Sequence, residues 1–417
     1  MLALYLHIPF CRHKCHYCAF NSQPLPPGTA GGRLVRDYLD SLHRELELAA
    51  AAPAIRAPAD GSSLHSIYFG GGTPTVLDPP ALCSLLKSLK LHFHWSDDIE
   101  ITVEANPATV DQARLTELRQ AGCNRLSLGA QSFNALELQL LGRVHSVADI
   151  YAACRDARAA GFDNLSLDLI YGLPGQTTAA WRENLQQALG LCPEHLSAYG
   201  LKLEPGTPLA ESVAAGRLAE CDENEQLAMW SETQRLTSDA GLRRYEISNY
   251  ARPGRESRHN LAYWRNEPYL ALGAGAAGYV FQRSEAECQR PEKDLQNTDL
   301  MSEVMAPSLE NGMVRYANYD QIETYMAAVD RGELPRAWEE RETTLQERAD
   351  TVMMGLRLTG GLDRAAFQAR FGHSFEFFYG EQLAAMTGDG LMGASEQAVF
   401  LTERGLLLSN YVLSHFI

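Results

Sequence analysis

Three cysteines stand close together in the sequence as Cys11-x3-Cys15-x2-Cys18. Three thiolates at this spacing can hold three irons of a [4Fe–4S] cubane and leave the fourth iron open. An open iron can take the amino and carboxylate groups of S-adenosylmethionine (SAM). An electron passed from the cluster into the sulfonium then breaks a C–S bond and leaves a 5′-deoxyadenosyl radical. The cofactor carries that chemistry, while the protein positions it and excludes water. The same thiols, joined by His7, His13 or His16, could instead form a structural zinc site. From the three cysteines alone both readings stand.

Positioning such a site requires a scaffold. Short β-rich segments recur at Ala3–Ile8, Ser66–Phe69, Ile99–Glu104, Arg125–Leu128, Leu165–Ile170 and Leu196–Leu203. Helix-patterned stretches such as Leu34–Ala50 and Gln112–Ala121 lie between them. This alternation predicts an α/β fold of repeated βα units on a parallel sheet. Six units and a strand-like Arg244–Ser248 suit a partial (β/α)6 barrel better than a complete eight-fold one. The cysteines, the run Gly70-Gly71-Gly72-Thr73-Pro74, and Glu104, Gln131 and Asp168 all fall at or near the C-terminal ends of these strands. Barrel enzymes build their sites on that face. Ala51–Ser63, rich in Ala, Pro and Gly, reads as a surface loop.

Beyond about residue 290 the pattern changes. Met301–Arg370 reads as mainly helical, and strand-like Ala398–Leu401 and Gly405–Leu413 flank a polar turn at Thr402–Arg404. Helices ending in a hairpin suggest a small winged-helix-like module. The expected division is a barrel with an extension over 1–290 and a C-terminal domain over 291–417.

The bulk properties narrow the class. Apolar residues make up 45% of the 417 and charged residues 21%, ordinary for a water-soluble globular chain. A net charge of −16 argues against a nucleic-acid partner, although Arg252, Arg255 and Arg258 could meet an anionic small molecule. The N-terminal residues lack the basic start and apolar core of a secretory signal, and no apolar run approaches membrane-span length. Six further cysteines (Cys83, Cys123, Cys154, Cys192, Cys221, Cys288) are scattered singly, unlike a disulfide framework. Together these predict a cytoplasmic protein, with peripheral membrane association left open.

The CxxxCxxC spacing, with Tyr17 before the last cysteine, resembles the signature of the radical SAM superfamily. The resemblance extends along nearly the whole chain to its coproporphyrinogen-oxidase-like branch. It rests on Tyr5-Leu-His-Ile-Pro-Phe, Val103-Glu-Ala-Asn-Pro107, Arg125-Leu-Ser-Leu-Gly-Ala-Gln131-Ser-Phe133, Leu141-Gly-Arg143 and Asp168-Leu-Ile-Tyr-Gly-Leu-Pro-Gly175. It implies a cluster on Cys11, Cys15 and Cys18, and SAM contacts at Tyr5, Gly71, Gly72, Thr73, Glu104, Gln131, Arg143 and Asp168. An electron donor for the cluster follows as a partner.

Two functions compete within this branch: oxygen-independent coproporphyrinogen III oxidase, and heme chaperones of the HemW group, which pass heme to acceptor proteins. The oxidases resemble CxxxCxxCxC, whereas this chain has Phe20 at the last position. The oxidases also carry an N-terminal extension before the first strand, which this chain is expected to lack. His259-Asn260-Leu-Ala-Tyr263-Trp264 matches the chaperones' HNxxYW motif, which implies that His259 helps to bind heme. Where relatives commonly show Gly-Ala-Gly-Ala-His, this chain has Ala277 in place of the histidine, and Arg244 stands where an uncharged polar residue is more usual. Gly273–Gly278 fits GxGxxG, but the following Tyr279-Val-Phe-Gln reads as strand, which argues against a dinucleotide site.

Overall fold

The structure is a computed structural model describing residues 2–25, 32–52, 63–282 and 312–417. Its main sheet has twelve strands. Six of them, β1 (Leu2–Ile8), β2 (Leu64–Gly71), β3 (Trp95–Ala105), β4 (Arg125–Gln131), β5 (Leu165–Tyr171) and β6 (His195–Gly200), lie side by side in chain order, all parallel. In β1 only Tyr5 is less than fully buried, the near-continuous burial expected of a strand covered on both faces. Helices Arg33–Ala51, Pro79–His92, Gln112–Ala121, Val147–Ala159 and Thr178–Gly190 connect successive strands, and Glu223–Asp239 after β6 is the sixth helix of the partial (β/α)6 barrel.

At one edge β7 (Arg243–Arg244) and β8 (Asn249–Ala251) add antiparallel strands beside β6. The expected strand Arg244–Ser248 is therefore corrected: 245–248 form the turn between these two short strands. At the other edge β9 (Tyr269–Leu272) pairs parallel with β1. Antiparallel β10 (Ala277–Gln282), β11 (Gly312–Asn318) and β12 (Arg336–Arg341) follow. Gly273–Gly278 leads into the strand β10 rather than a helix, so the dinucleotide reading is excluded by structure as well.

The mainly helical reading of Met301–Arg370 is also corrected, since β11 and β12 are strands of the main sheet. β12, Arg-Ala-Trp-Glu-Glu-Arg, is an exposed edge strand whose charge blunts pairing with other chains, and that charge resembles a solvated helix face. The surface loop expected at Ala51–Ser63 falls mostly outside the described residues, as do Cys288 and the division placed near residue 290.

A second core gathers Val352, Phe367, Phe375, Met392, Val399 and Val412. Its elements run helix Thr344–Gly355, strand β13 (Leu362–Asp363), helices Arg364–Phe371 and Phe375–Gly388, then strands β14 (Met392–Ala394) and β15 (Ala398–Leu401). The sheet order β13-β15-β14 gives the winged-helix-like module expected from sequence. The hairpin partner of β15 is β14, however, and Gly405–Leu413 is helical. Thr402 is the reason: its side chain accepts from the Gly405 N–H and so starts a helix where a turn was expected.

Candidate functional site

The three cysteines sit on the loop leaving β1, and two other loops hold it in place. Gly72 N–H donates to Ile8 O at 2.9 Å and Thr73 N–H to Phe10 O at 2.8 Å, lacing the Gly-Gly-Thr turn to the approach to Cys11. Gly71 has φ +108°, and a Cβ at Gly72 would lie 2.5 Å from Phe10 O, so neither position accepts a side chain without moving the loop. Farther along, His16 N–H donates to Leu141 O at 3.0 Å, and Lys14 Nζ donates to Ser22 O and Oγ at 3.1 and 3.0 Å.

All three thiols line a cavity of about 580 Å3 at the C-terminal ends of the parallel strands. Gly71, Gly72, Thr73, Glu104, Gln131, Arg143 and Asp168 line it too. Tyr5 and His259, grouped with them by sequence, do not. Tyr5 borders a second cavity, and His259 is buried behind Tyr5 and Tyr68, its ring stacked on Tyr68 at 5.0 Å.

Among the described residues, no group of three His, Cys, Asp or Glu side chains converges on a single metal ion. Of the histidines considered for zinc, His7 pairs with Tyr5 OH and Asn21 O, and His16 Nδ1 pairs with Leu140 O. The donor set instead suits a cluster that spreads its iron corners among separate thiolates. Arg143 donates to Cys15 Sγ at 3.4 Å and to Gly129 O at 2.7 Å, while its buried Nε has no partner. A guanidinium lining the cavity beside the cysteines fits an anionic ligand group there.

The acidic side of the cavity is built by strand register. Glu104 lies opposite Ser127, Ser127 opposite Ser166, and Asp168 opposite Ser197. Asp168 accepts from Ser127, Ser197 and Ser166 at 2.9, 2.7 and 3.2 Å, yet burial pushes its pKa up. Glu104 accepts from Tyr68 OH at 2.7 Å; burial, reinforced by the Asp168 charge, pushes its pKa up to about 7. Arg125, only 2% exposed, supplies positive charge beneath both carboxylates. Gln131 closes β4 at φ +65°, a left-handed backbone unusual for glutamine.

Sequence reasoning missed Tyr68, Arg125 and the three serines. A signal for Arg125 and Ser127 was present in the alternation Arg125-x-Ser127-x-Gly129-x-Gln131, which points one strand face into the cavity.

His259 has both ring nitrogens engaged, with Nδ1 3.1 Å from Ser66 Oγ and Nε2 2.8 Å from Tyr263 OH. Burial lowers its pKa to about 3, so the ring is neutral. Bonding to iron would require one of these contacts to break. The three arginines considered for anions line neither cavity, and two are paired: Arg255 with Asp163 at 3.3 Å and Arg258 with Asp98 at 2.7 Å.

Comparison with known proteins agrees with this geometry. A model of the radical SAM superfamily matches residues 5–188, and a model of the HemN C-terminal domain matches residues 344–408. The heme chaperone HemW of Bacillus subtilis (strain 168) is 34% identical, covering 100% of this chain and 99% of its own. The Mycobacterium tuberculosis (strain ATCC 25618 / H37Rv) heme chaperone HemW is 34% identical over 98% of this chain and 93% of its own. The mouse mitochondrial radical S-adenosyl methionine domain-containing protein 1 is 35% identical over 79% of this chain and 77% of its own. Among solved structures, the Escherichia coli coproporphyrinogen III oxidase HemN, a radical SAM enzyme, superposes with a TM-score of 0.77 at 24% identity. That match covers 100% of this chain and 89% of the oxidase, a likeness of fold. With its cysteine loop, strand-end cavity and full-length relatives all in agreement, the chain belongs to the radical SAM superfamily and, within it, to the HemW family.

Proposed function

We propose that this protein is a heme chaperone that binds heme and passes it to acceptor proteins. In this reading it carries a [4Fe–4S] cluster on Cys11, Cys15 and Cys18, with SAM at the open iron. The observation that carries the cofactor part is the meeting of the cysteine loop, the Gly-Gly-Thr turn and two buried carboxylates in one cavity. Full-length likeness to heme chaperones supports the rest. When bound, the cluster and SAM supply one-electron reductive chemistry.

The chain's own residues do the holding. Ionised Glu104 accepts a hydrogen bond from the SAM amino group, and its burial excludes competing water. Asp168, fixed by three serine hydroxyls, suits ribose hydroxyls. Gly71 and Gly72 let backbone approach the ligand closely, Thr73 anchors the turn, and Gln131 closes the far wall. Arg143, which lines the cavity, suits the SAM carboxylate. His259, which the HNxxYW motif assigns to heme, would take part once its contact with Ser66 or Tyr263 opens.

The test is functional. Cluster-reconstituted protein loaded with heme under anaerobic conditions should pass it to an apo heme protein. With SAM and reductant it should leave coproporphyrinogen III propionates intact. Decarboxylation of the propionates, with no heme transfer, would replace the chaperone with an oxidase.

A further inference from the structure

Strand β4 is irregular at its end. Leu126, Ser127 and Leu128 lie opposite Leu165, Ser166 and Leu167 of β5, but the next pair is Gln131 opposite Leu169. Three steps along β4 match two along β5, so β4 carries one extra residue, a β-bulge over Gly129 and Ala130. Beyond it the Ser132 N–H donates to Ala130 O at 2.8 Å, closing a γ-turn on Gln131, whose φ is +65°. This hand of γ-turn is rare and strained, and it persists only where the surroundings impose it.

Two side chains of one loop impose it. Between helices Ala135–Leu140 and Val147–Ala159, Arg143 donates to Gly129 O at 2.7 Å and His145 Nε2 donates to Ala130 O at 3.2 Å. Both carbonyls of the bulge are thus held by this loop. The other ring nitrogen, Nδ1, lies 3.1 Å from the side-chain amide of Asn106, the residue after β3. Asn106 N–H in turn donates to Thr109 Oγ1 at 3.2 Å, fixing the short turn Pro107–Thr109. One buried ring therefore spans the ends of β3 and β4.

What it spans borders the cysteine cavity. Asn106, Gly129, Gln131 and Arg143 line that cavity, and His145 stands behind them. A Cβ on Gly129 would lie 2.9 Å from Gln131 Nε2 and 3.4 Å from Arg143 Nη2, so the glycine makes room for both side chains. A buried histidine that joins two loops can serve stability alone. Stability, however, would be served better by a regular strand end than by a strained turn. We propose that His145 is a positioning residue for SAM: by anchoring Ala130 O it holds the turn that presents the Gln131 side chain to the cavity. This rests on the reading of that cavity as the SAM site.

Equilibrium dialysis of SAM against cluster-reconstituted variants tests the role, with iron content reporting that each is folded. His145→Ala should bind SAM about tenfold more weakly. His145→Gln, whose side-chain amide can donate to Ala130 O, should recover most of that loss. His145→Leu fills the space without a donor and should behave as alanine does, which carries the test if the alanine variant loses its iron. With no Gln131 side chain to position, adding His145→Ala to Gln131→Gly should cost less than about twofold more. In SAM-free protein the Ser132 amide, which closes the turn, should exchange faster in His145→Ala than in wild type. If wild type binds SAM and the histidine variants bind it equally well, the positioning role is overturned and the SAM reading stands. A full further tenfold loss on top of Gln131→Gly overturns it likewise. Faster Ser132 exchange in a protein that binds no SAM would keep His145 as the anchor of the turn and overturn the SAM reading instead.

Discussion

At the scale of single residues, the cysteines and Glu104 carry the sharpest expectations. Cys15→Ala should abolish the cluster, because two remaining thiolates cannot hold the cubane in place, and it also removes the Arg143 contact at 3.4 Å. Iron and labile-sulfide analysis checks this, and an unchanged iron content would remove Cys15 from the ligand set. Glu104 has its pKa pushed up to about 7 by burial, so its charge is lost as pH falls through neutrality. SAM binding should therefore weaken as pH drops from 8 to 6. Glu104→Gln should bind SAM about ten- to a hundredfold more weakly, with a flat pH profile over that range. Equilibrium dialysis across the range checks both, and a flat wild-type profile would detach Glu104 from the SAM amino group. Most of these residues were legible because they combine a distinctive type with a strand-end position. Tyr68, Ser166 and Ser197 were not, since each reads as an ordinary strand residue until strand register brings it beside a carboxylate.

At the scale of elements, the six parallel strands were readable from apolar runs alternating with amphipathic helices. The strands beyond β10 were not. β12 is exposed and charged along its length, β11 lies between it and β10, and their pairing is set by long-range contacts that periodicity does not report. Glu45 is a comparable case. It lies on the buried face of helix Arg33–Ala51 between Leu42 and Leu46, where its carboxylate accepts from Tyr325 OH, Gly273 N–H and Asn318 Nδ2, at 2.7, 2.7 and 2.6 Å. It thereby ties the helix to the turn after β9 and to the end of β11. Glu45→Ala should destabilise the fold by about 2–3 kcal/mol, because three buried donors lose their acceptor. Burial pushes the Glu45 pKa up to about 7, above its unfolded value, so the protonated carboxyl favours folding at low pH. That contribution is lost as pH rises through about 7. Relative to Glu45→Gln, wild type should lose roughly 3 kcal/mol between pH 4.5 and 7.5. Denaturant titrations of both proteins at several pH values check the sign, and parallel curves would contradict it.

At the scale of the whole molecule, the C-terminal module is not a loose appendage. Arg370 reaches Asn266 O and Tyr279 OH, and Thr359 reaches the backbone of Arg244 and Tyr245. The module therefore completes the second cavity with Met354 and Arg357. Arg370→Ala should loosen that junction, seen as faster amide exchange at Tyr245 and Asn266 while the iron content is retained. Unchanged protection would show that the remaining contacts suffice. No described helix is long and apolar enough to cross a membrane. The sequence conveyed that two units exist, but not that a cavity forms between them, because its lining is drawn from residues more than a hundred positions apart. The central claim is that this molecule takes up heme, and an anaerobic heme titration of the cluster-reconstituted protein tests it most directly. Saturable binding near one heme per chain is the expected result. Absorption that rises with added heme and never saturates would contradict it.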